Sequence, residues 1–279
     1  LVPSETFEEG ASANASTALG YVSAVTSDGF TLTEGNHATS SIRSLLTNLD
    51  GKIYVGWCWK ESATAGLDIV TFTGDGSART ISHNLSAVPH CMIVRTRNPT
   101  SDCNYSIYHH KNTAAPETDH IFWDSTQATE DDATIWNDTA PTSSVFSLST
   151  NVGVNEDTKN CFAYLWSEKQ GFSKFGGYEG NGNADGTFVY TGFRPAFIMV
   201  HSIDSTDSWH TFDNKREGYN VDNDALFAEA TAVEGTSDQI DMLSNGFKCR
   251  IATDPNVAET YIYMAFAEAP FVNSEGVPC

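Results

Sequence analysis

Three stretches of this chain close in the same way. YVGWCWKE (54–61), CFAYLWSE (161–168) and YIYMAFAE (261–268) each end on a glutamate, and each places Trp59, Trp166 or Phe266 two residues before it. An internal repeat constrains a fold strongly, because each copy must be one supersecondary unit that stacks on its neighbours. A shared element precedes each stretch: SDGFTL (27–32), SVFSL (144–148) and SNGFKCR (244–250), which aligns Phe30, Phe146 and Phe247.

The two later copies also share front halves. TFTGDGSARTISHNLSAVPHCMIV (71–94) matches YEGNGNADGTFVYTGFRPAFIMV (178–200), with Pro89 facing Pro195. DCNYSIYH (102–109) then matches DSWHTFD (207–213), and HIFWDSTQAT (120–129) matches ALFAEATAV (225–233). The expected organisation is residues 1–65, an N-terminal extension with the back half of a unit; 66–170, a first full unit; and 171–279, a second full unit with a short tail.

HCMIV, AFIMV and TYIYMAFA are apolar or β-branched runs of strand length. GDG, NGN, SDG and SNG punctuate them and suit tight turns. Pro89 and Pro195 stand just before apolar runs, where a missing N–H is tolerated at a strand start. SSIRSLLTNLD (40–50) is the best candidate for a short helix, starting from a Ser cap. The expected fold is all-β: tandem antiparallel β-sandwich units, jelly-roll-like, with a closed barrel as the second choice. Read as a strand, YVGWCWKE puts Val55, Trp57 and Trp59 on one face and Tyr54, Gly56 and Cys58 on the other. Leu165 and Ala265 replace Cys58 in the later copies, so that position needs a small apolar slot rather than a thiol. The position of Trp59, Trp166 and Phe266 is a large core aromatic.

Charge removes several classes of partner. Lys and Arg total 15 against 36 Asp and Glu, a formal charge of −21. Nucleic-acid binding needs a basic footprint, and so does docking to an anionic membrane. An acidic surface favours solubility and attracts cations. No apolar run approaches the ~18 residues of a transmembrane helix. LVPSETFEEG is acidic where a signal peptide is basic and apolar, and a leucine in first place suggests a processed chain or a fragment. The six cysteines, Cys58, Cys91, Cys103, Cys161, Cys249 and Cys279, form no CxxC. Buried free thiols are expected, with a Cys91–Cys103 bridge left open.

Several longer motifs carry a resemblance. ISHNLSAVPHCMIVRTRN (81–98), TIWNDTAPTSSVFSLSTNVGVNEDT (134–158), GFSKFGGYEGNGNADGTFVYTGFRPAFIMV (171–200), FDNKR (212–216), LSNGFKCR (243–250) and TYIYMAFAEAPF (260–271) together resemble an uncharacterised tandem-repeat β domain. That domain occurs in virion proteins of tailed phages, especially marine ones, of the tail or fibre type. The resemblance covers roughly 20–271 and implies a structural role on a virion, outside the cell. It brings no catalytic residues. Family units often carry aspartate after the strand-leading proline; this chain has His90 and Ala196 there.

Candidate sites are weighed against structural uses. Glu61, Glu168 and Glu268 recur at equivalent strand ends, where an acid meets solvent or a basic neighbour; a glycan-cleaving enzyme would instead show one cleft with two unlike carboxylates. His109, His110, His120 and Asp119 are ligand types for a transition metal, but their spacing is no recognised zinc pattern. His109 and His110 would point to opposite faces of a strand. Asp75 in TGDGS and Asp185 in NADGT are taken as equivalent turn aspartates, with weak calcium binding as the alternative. Trp123, Trp136 and Trp209 are expected in the core first, with glycan stacking or a subunit interface as the alternative, and Trp136 is the expected loop aromatic. The sequons at Asn14, Asn84, Asn104 and Asn137 are incidental in a phage product made in bacteria. No metal or cofactor is expected, with calcium the one alternative. The function that follows is a non-enzymatic structural component of a virion surface, tail or fibre, assembling with itself or other virion proteins. A module binding a host-surface glycan or receptor is the first alternative, and a glycan-degrading enzyme the second.

Overall fold

The computed structural model describes residues 20–27, 29–40, 48–216, 220, 225–230 and 232–268. The expected helix at 40–50 falls mostly outside these. The chain parts into two compact units, whose described residues run from 20 to 58 and from 59 to 268. In the smaller unit, β1 (Tyr21–Val25) and β2 (Phe30–Thr33) form an antiparallel hairpin. The Thr26 N–H donates to the Gly29 carbonyl at 2.8 Å and closes its turn. Gly56 lies against Phe30, where an added Cβ would stand 3.3 Å from the ring.

The larger unit repeats one topology twice. In the first copy, β3 (Leu67–Thr73), β5 (Cys91–Thr96), β6 (Ser106–His109), β7 (Asp119–Phe122), β8 (Glu130–Asp131) and β10 (Asn160–Trp166) make an antiparallel sheet ordered β3-β10-β5-β6-β7-β8. There β4 (Arg79–Ser82) pairs with β9 (Val145–Leu148) as a second, smaller sheet. In the second copy, β11 (Ser173–Glu179), β13 (Pro195–Ser202), β14 (His210–Asp213), β15 (Leu226–Phe227) and β18 (Thr260–Ala267) are ordered β11-β18-β13-β14-β15. Its smaller sheet is β12 (Phe188–Tyr190), β17 (Gly246–Cys249) and β16 (Ile240–Leu243), in that order. Two four-residue helical turns, α1 (Ala133–Trp136) and α2 (Val152–Asn155), belong to the first copy. The sheets are open, with different strands at their two edges, so these are sandwiches and not a barrel.

Alternation along the strands sorts side chains into three cores. Ile93, Phe162 and Trp166 of the first large sheet meet Met199, Met264 and Phe266 of the second. On its other face the first sheet packs Met92, Val94 and Leu165 against Phe146 and Leu148 of its small sheet. The second packs Ile198, Val200 and Tyr261 against Val189 and Phe247. The order of layers is small sheet, large sheet, large sheet, small sheet. The two repeats are therefore one stack with a shared centre. This explains why β5, β10, β13 and β18 read as continuous apolar runs. An antiparallel sheet with one wet face alternates apolar and polar residues, but these strands are covered on both faces.

One sequence expectation is corrected. YVGWCWKE was expected to match β10 and β18, yet residues 52–61 are in no strand. β10 is held between β3 and β5, and β18 between β11 and β13. Those flanking strands come from the front halves of the two complete repeats, and among the described residues none pairs with 52–61 in that way. Only Trp59 keeps the expected role: it is partly buried and meets Phe197 and Phe266 edge-on, with ring centroids 5.2 and 5.5 Å away.

Each complete repeat is locked at one end by a buried asparagine. The Asn155 Nδ2 donates to Asp75 Oδ1 (3.2 Å), the Ser77 carbonyl (2.8 Å) and the Ser149 carbonyl (2.8 Å), while its Oδ1 accepts from the Asp75 N–H (3.2 Å). Asn256 does the same in the second repeat: its Nδ2 donates to Asn181 Oδ1 (3.0 Å) and the carbonyls of Asn183 (2.8 Å) and Ile251 (2.7 Å), and its Oδ1 accepts from the Asn181 N–H (3.2 Å). Both asparagines are fully buried. Gly74 and Gly180 let the chain pass: a Cβ would stand 2.1 Å from the Glu156 carbonyl oxygen in one and 1.9 Å from that of Val257 in the other. A buried amide with all its groups satisfied stabilises, whereas orphaning its partners is costly. Asn155→Ala and Asn256→Ala should each destabilise the larger unit by about 2–4 kcal/mol, read from urea unfolding. Asn155→Asp should cost at least as much, because it turns a donor into an acceptor facing three oxygens; a neutral result at either position would refute this role.

Candidate functional site

The three candidate tryptophans serve the interior. Trp136 is expected on a loop but lies on α1, 1% exposed, where its Nε1–H donates to the Asp119 carbonyl at 3.0 Å. The cause is local: Asp132 caps the turn by accepting from the Thr134 N–H, and left-handed Asn137 ends it. Ile135 and Trp136 are thereby turned onto the first repeat's outer core. Trp209 is also buried; it stacks on His201 (4.3 Å between centroids) and donates from Nε1 to the Phe122 carbonyl at 2.8 Å. That bond ties the second repeat to the first. Trp123 is partly buried and edge-on to Tyr105 at 5.8 Å. Burial rules out sugar stacking on Trp136 and Trp209, so that alternative is corrected.

The histidines do not converge as a ligand set. His110 is closest to His90, with ring centroids 4.6 Å apart, while the ring of His120 packs on Phe122 at 4.6 Å. Among the described residues, no group of three His, Cys, Asp or Glu side chains is arranged to hold a metal ion. His109 has a backbone task. Its Nε2–H donates to the Tyr263 carbonyl (3.2 Å) and its Nδ1 accepts from the Lys111 N–H (3.2 Å). Asp213 holds the same place at the end of β14, and its Oδ1 accepts from the Lys215 N–H at 2.9 Å. The fold asks for an acceptor there and two side-chain types provide it.

Asp75 and Asp185 are not equivalent, which corrects the expected pairing. Asn181 takes the place of Asp75 in the asparagine cradle, because the loop before β12 is longer and carries Asp185 beyond it. The Ser77 N–H holds the Asp75 carboxyl below the usual range, and Arg79 lies 3.4 Å away. Asp185 is lowered by Lys248, at 2.5 Å. Both acids thus have protein partners of their own. Of the recurring acids, Glu168 meets a basic neighbour. Its carboxylate accepts from the Phe175 N–H (3.0 Å) and from Lys174 Nζ (3.2 Å), so it joins the end of β10 to the start of β11. Glu268 pairs instead with Lys215 and Asn214. Cys91, Cys103, Cys161 and Cys249 are buried and free, which closes the Cys91–Cys103 alternative; Cys58 is free but exposed, against expectation, and Cys279 lies outside the described residues.

Among the described residues, Ile69, Val88, Val152 and Val233 are exposed singly, and two stretches expose several large apolar side chains. One is the half-repeat, with Val22, Val25, Phe30, Ile53, Tyr54 and Trp57. The other is the outer face of the second small sheet, where Phe188 and Tyr190 stand exposed beside Lys248 and Asp241. Sequence reasoning missed this pair because TFVYTG shows no alternation. The signal available was the first repeat, whose RTIS puts Thr80 and Ser82 at the same two places.

Acid should weaken this fold. Burial pushes His109 down to about 3, helped by His110, His90 and Lys111, and burial also lowers His90, His110, His120, His201 and His83. A histidine with a depressed native pKa adds stability that is whole above its unfolded value and is lost as pH falls, because only the unfolded chain takes up the proton. For His109 alone the loss is about 2 kcal/mol at pH 5, growing until about pH 3. Urea midpoints measured from pH 7.5 to 4 should fall, and His109→Asn should flatten the slope; an unchanged slope would contradict a neutral, buried His109.

No curated protein matches this chain, and no solved structure does. The family model described as "Domain of unknown function (DUF7483)" matches residues 3–270. It spans the half-repeat and both complete repeats, so the chain belongs to the DUF7483 family.

Proposed function

We propose that this chain is a non-enzymatic structural component of a tailed-phage virion, a tail, fibre or capsid-surface part outside the cell, and that it assembles with a second copy of itself through the half-repeat. A difference in burial at equivalent positions carries the proposal. Phe30 is 44% exposed, where Phe146 and Phe247 are 1% and 0% exposed. Tyr54 and Cys58 are exposed too, while their counterparts Cys161 and Leu165, and Tyr261 and Ala265, are buried. Apolar side chains grouped on a surface mark an interaction face. The front halves of a second copy are engaged with their own back halves, β3 with β10 and β11 with β18. Pairing the half-repeat with the same surface of a second copy makes the contact isologous. The resemblance of the repeat motifs to tail and fibre domains supports the same reading, since such proteins work as assemblies.

Charge sets a condition on this assembly. Copies carrying a formal −21 repel each other, so salt should strengthen association rather than weaken it. Sedimentation equilibrium should show a dimer or larger species that tightens from low to high salt. Replacing both Phe30 and Trp57 by serine should weaken it by at least about tenfold, or ~1.4 kcal/mol, with the melting of the larger unit unchanged. A chain that stays monomeric at about 100 µM in high salt, which means association weaker than about −5.5 kcal/mol, would end the proposal.

A further inference from the structure

The outer face of the β12-β17-β16 sheet has the makings of a ligand site. Val189, Phe247, Cys249, Ile240 and Met242 point inward to the core. By alternation Phe188 and Tyr190, Gly246 and Lys248, and Asp241 and Leu243 point out. The register sets them in two rows: Phe188, Lys248 and Asp241 in one, Tyr190, Gly246 and Leu243 in the other. Tyr190 is 64% exposed and Phe188 46%. Two residues apart on one strand, their rings are offset by about 7 Å, so one extended ligand can reach both.

The floor of the second row cannot carry a side chain. A Cβ on Gly246 would stand 2.0 Å from the Val189 carbonyl oxygen and 3.2 Å from the edge of the Phe188 ring. The row thus lacks a side chain between Tyr190 and Leu243, and the edge of the Phe188 ring reaches to that place. The polar rim is already charge-balanced: Lys248 pairs with Asp185 at 2.5 Å, and Arg250 with Asp241 at 3.0 Å. In the first repeat the equivalent strand exposes Thr80 and Ser82 instead, so the fold does not require aromatics at these places.

These features select a ligand chemistry. The rings reward a flat apolar surface, and ring faces attract C–H groups that carry slight positive charge. The rim offers ammonium, guanidinium and carboxylate groups for hydrogen bonds but no net charge to neutralise. Two exposed rings fall well short of the ~800 Å² per partner of a stable protein interface. A pyranose has one apolar C–H face and a rim of hydroxyls that both donate and accept. We infer that Phe188, Tyr190 and the bare Gly246 position between Tyr190 and Leu243 form a binding site for a neutral glycan, with Tyr190 as its stacking platform and Lys248 and Asp241 as its hydrogen-bonding rim. This site is separate from the half-repeat and does not depend on assembly.

The test is affinity electrophoresis of the full chain in gels holding a soluble β-glucan, a galactan or a mannan, with a uronic-acid polysaccharide as the charged comparison. At least one neutral polysaccharide should retard the protein. Tyr190→Ala should weaken that retardation at least tenfold and Phe188→Ala severalfold, while Tyr190→Trp and Thr80→Ala keep it. Both aromatics are exposed, so the variants should melt with the parent chain, and a melting scan checks this. Absence of retardation by all three neutral polymers overturns the inference, as does retardation indifferent to Tyr190→Ala or confined to the charged polymer. A change in oligomeric state on Tyr190→Ala, without a change in retardation, also overturns it and assigns the face to self-association.

Discussion

The larger unit depends on covering both faces of four strands. β5, β10, β13 and β18 have no wet side, so each large sheet needs two neighbours. One neighbour is the small sheet of the same repeat and the other is the large sheet of the other repeat. Removing either would expose a row of large side chains, each contributing roughly 1.5–3 kcal/mol by its burial. The order of layers follows from that demand. So does the close coupling of the repeats, which the Trp209 to Phe122 bond and the Glu168 turn reinforce.

Comparing the two repeats separates what the fold requires from what it tolerates. Asn155 and Asn256 do the same task with the same side chain, because the cradle needs donor and acceptor on one short buried group. The acceptor after β6 and β14 is less demanding: His109 and Asp213 both fill it. Likewise the N–H of Tyr105 donates to Asp124 (2.9 Å) and that of Trp209 to Glu229 (3.0 Å), so acids of either length suffice. Thr80 and Ser82 against Phe188 and Tyr190 mark positions on which the fold makes no demand at all.

Much of the architecture was legible because strand periodicity and turn residues are local signals. The repeat, the all-β class, the apolar runs, Pro89 just before β5 and Pro195 at the start of β13 all follow from residues close in sequence. The cradle was not legible from one copy, since Gly74 and Asn155 meet only through the whole strand order. Setting GDG and GNG beside NEDT and NVAET would have exposed it. Trp136 was misplaced because IWNDTAP reads as loop, although Asp132 and Asn137 are recognisable caps. YVGWCWKE failed for another reason: a strand is a pairing, and its intrinsic propensity acts only when flanking strands are present.

The strand register also decides where the chain enters and leaves the stack. Leu67 lies opposite Trp166, and Ser173 opposite Phe266, while the asparagine cradles close the other end, beyond Thr73 and Glu179. Both repeats therefore start and finish at one end. Entry and exit thus share one end of the stack, a geometry in which a pair of repeats can sit as an insertion whose flanking segments stay close together.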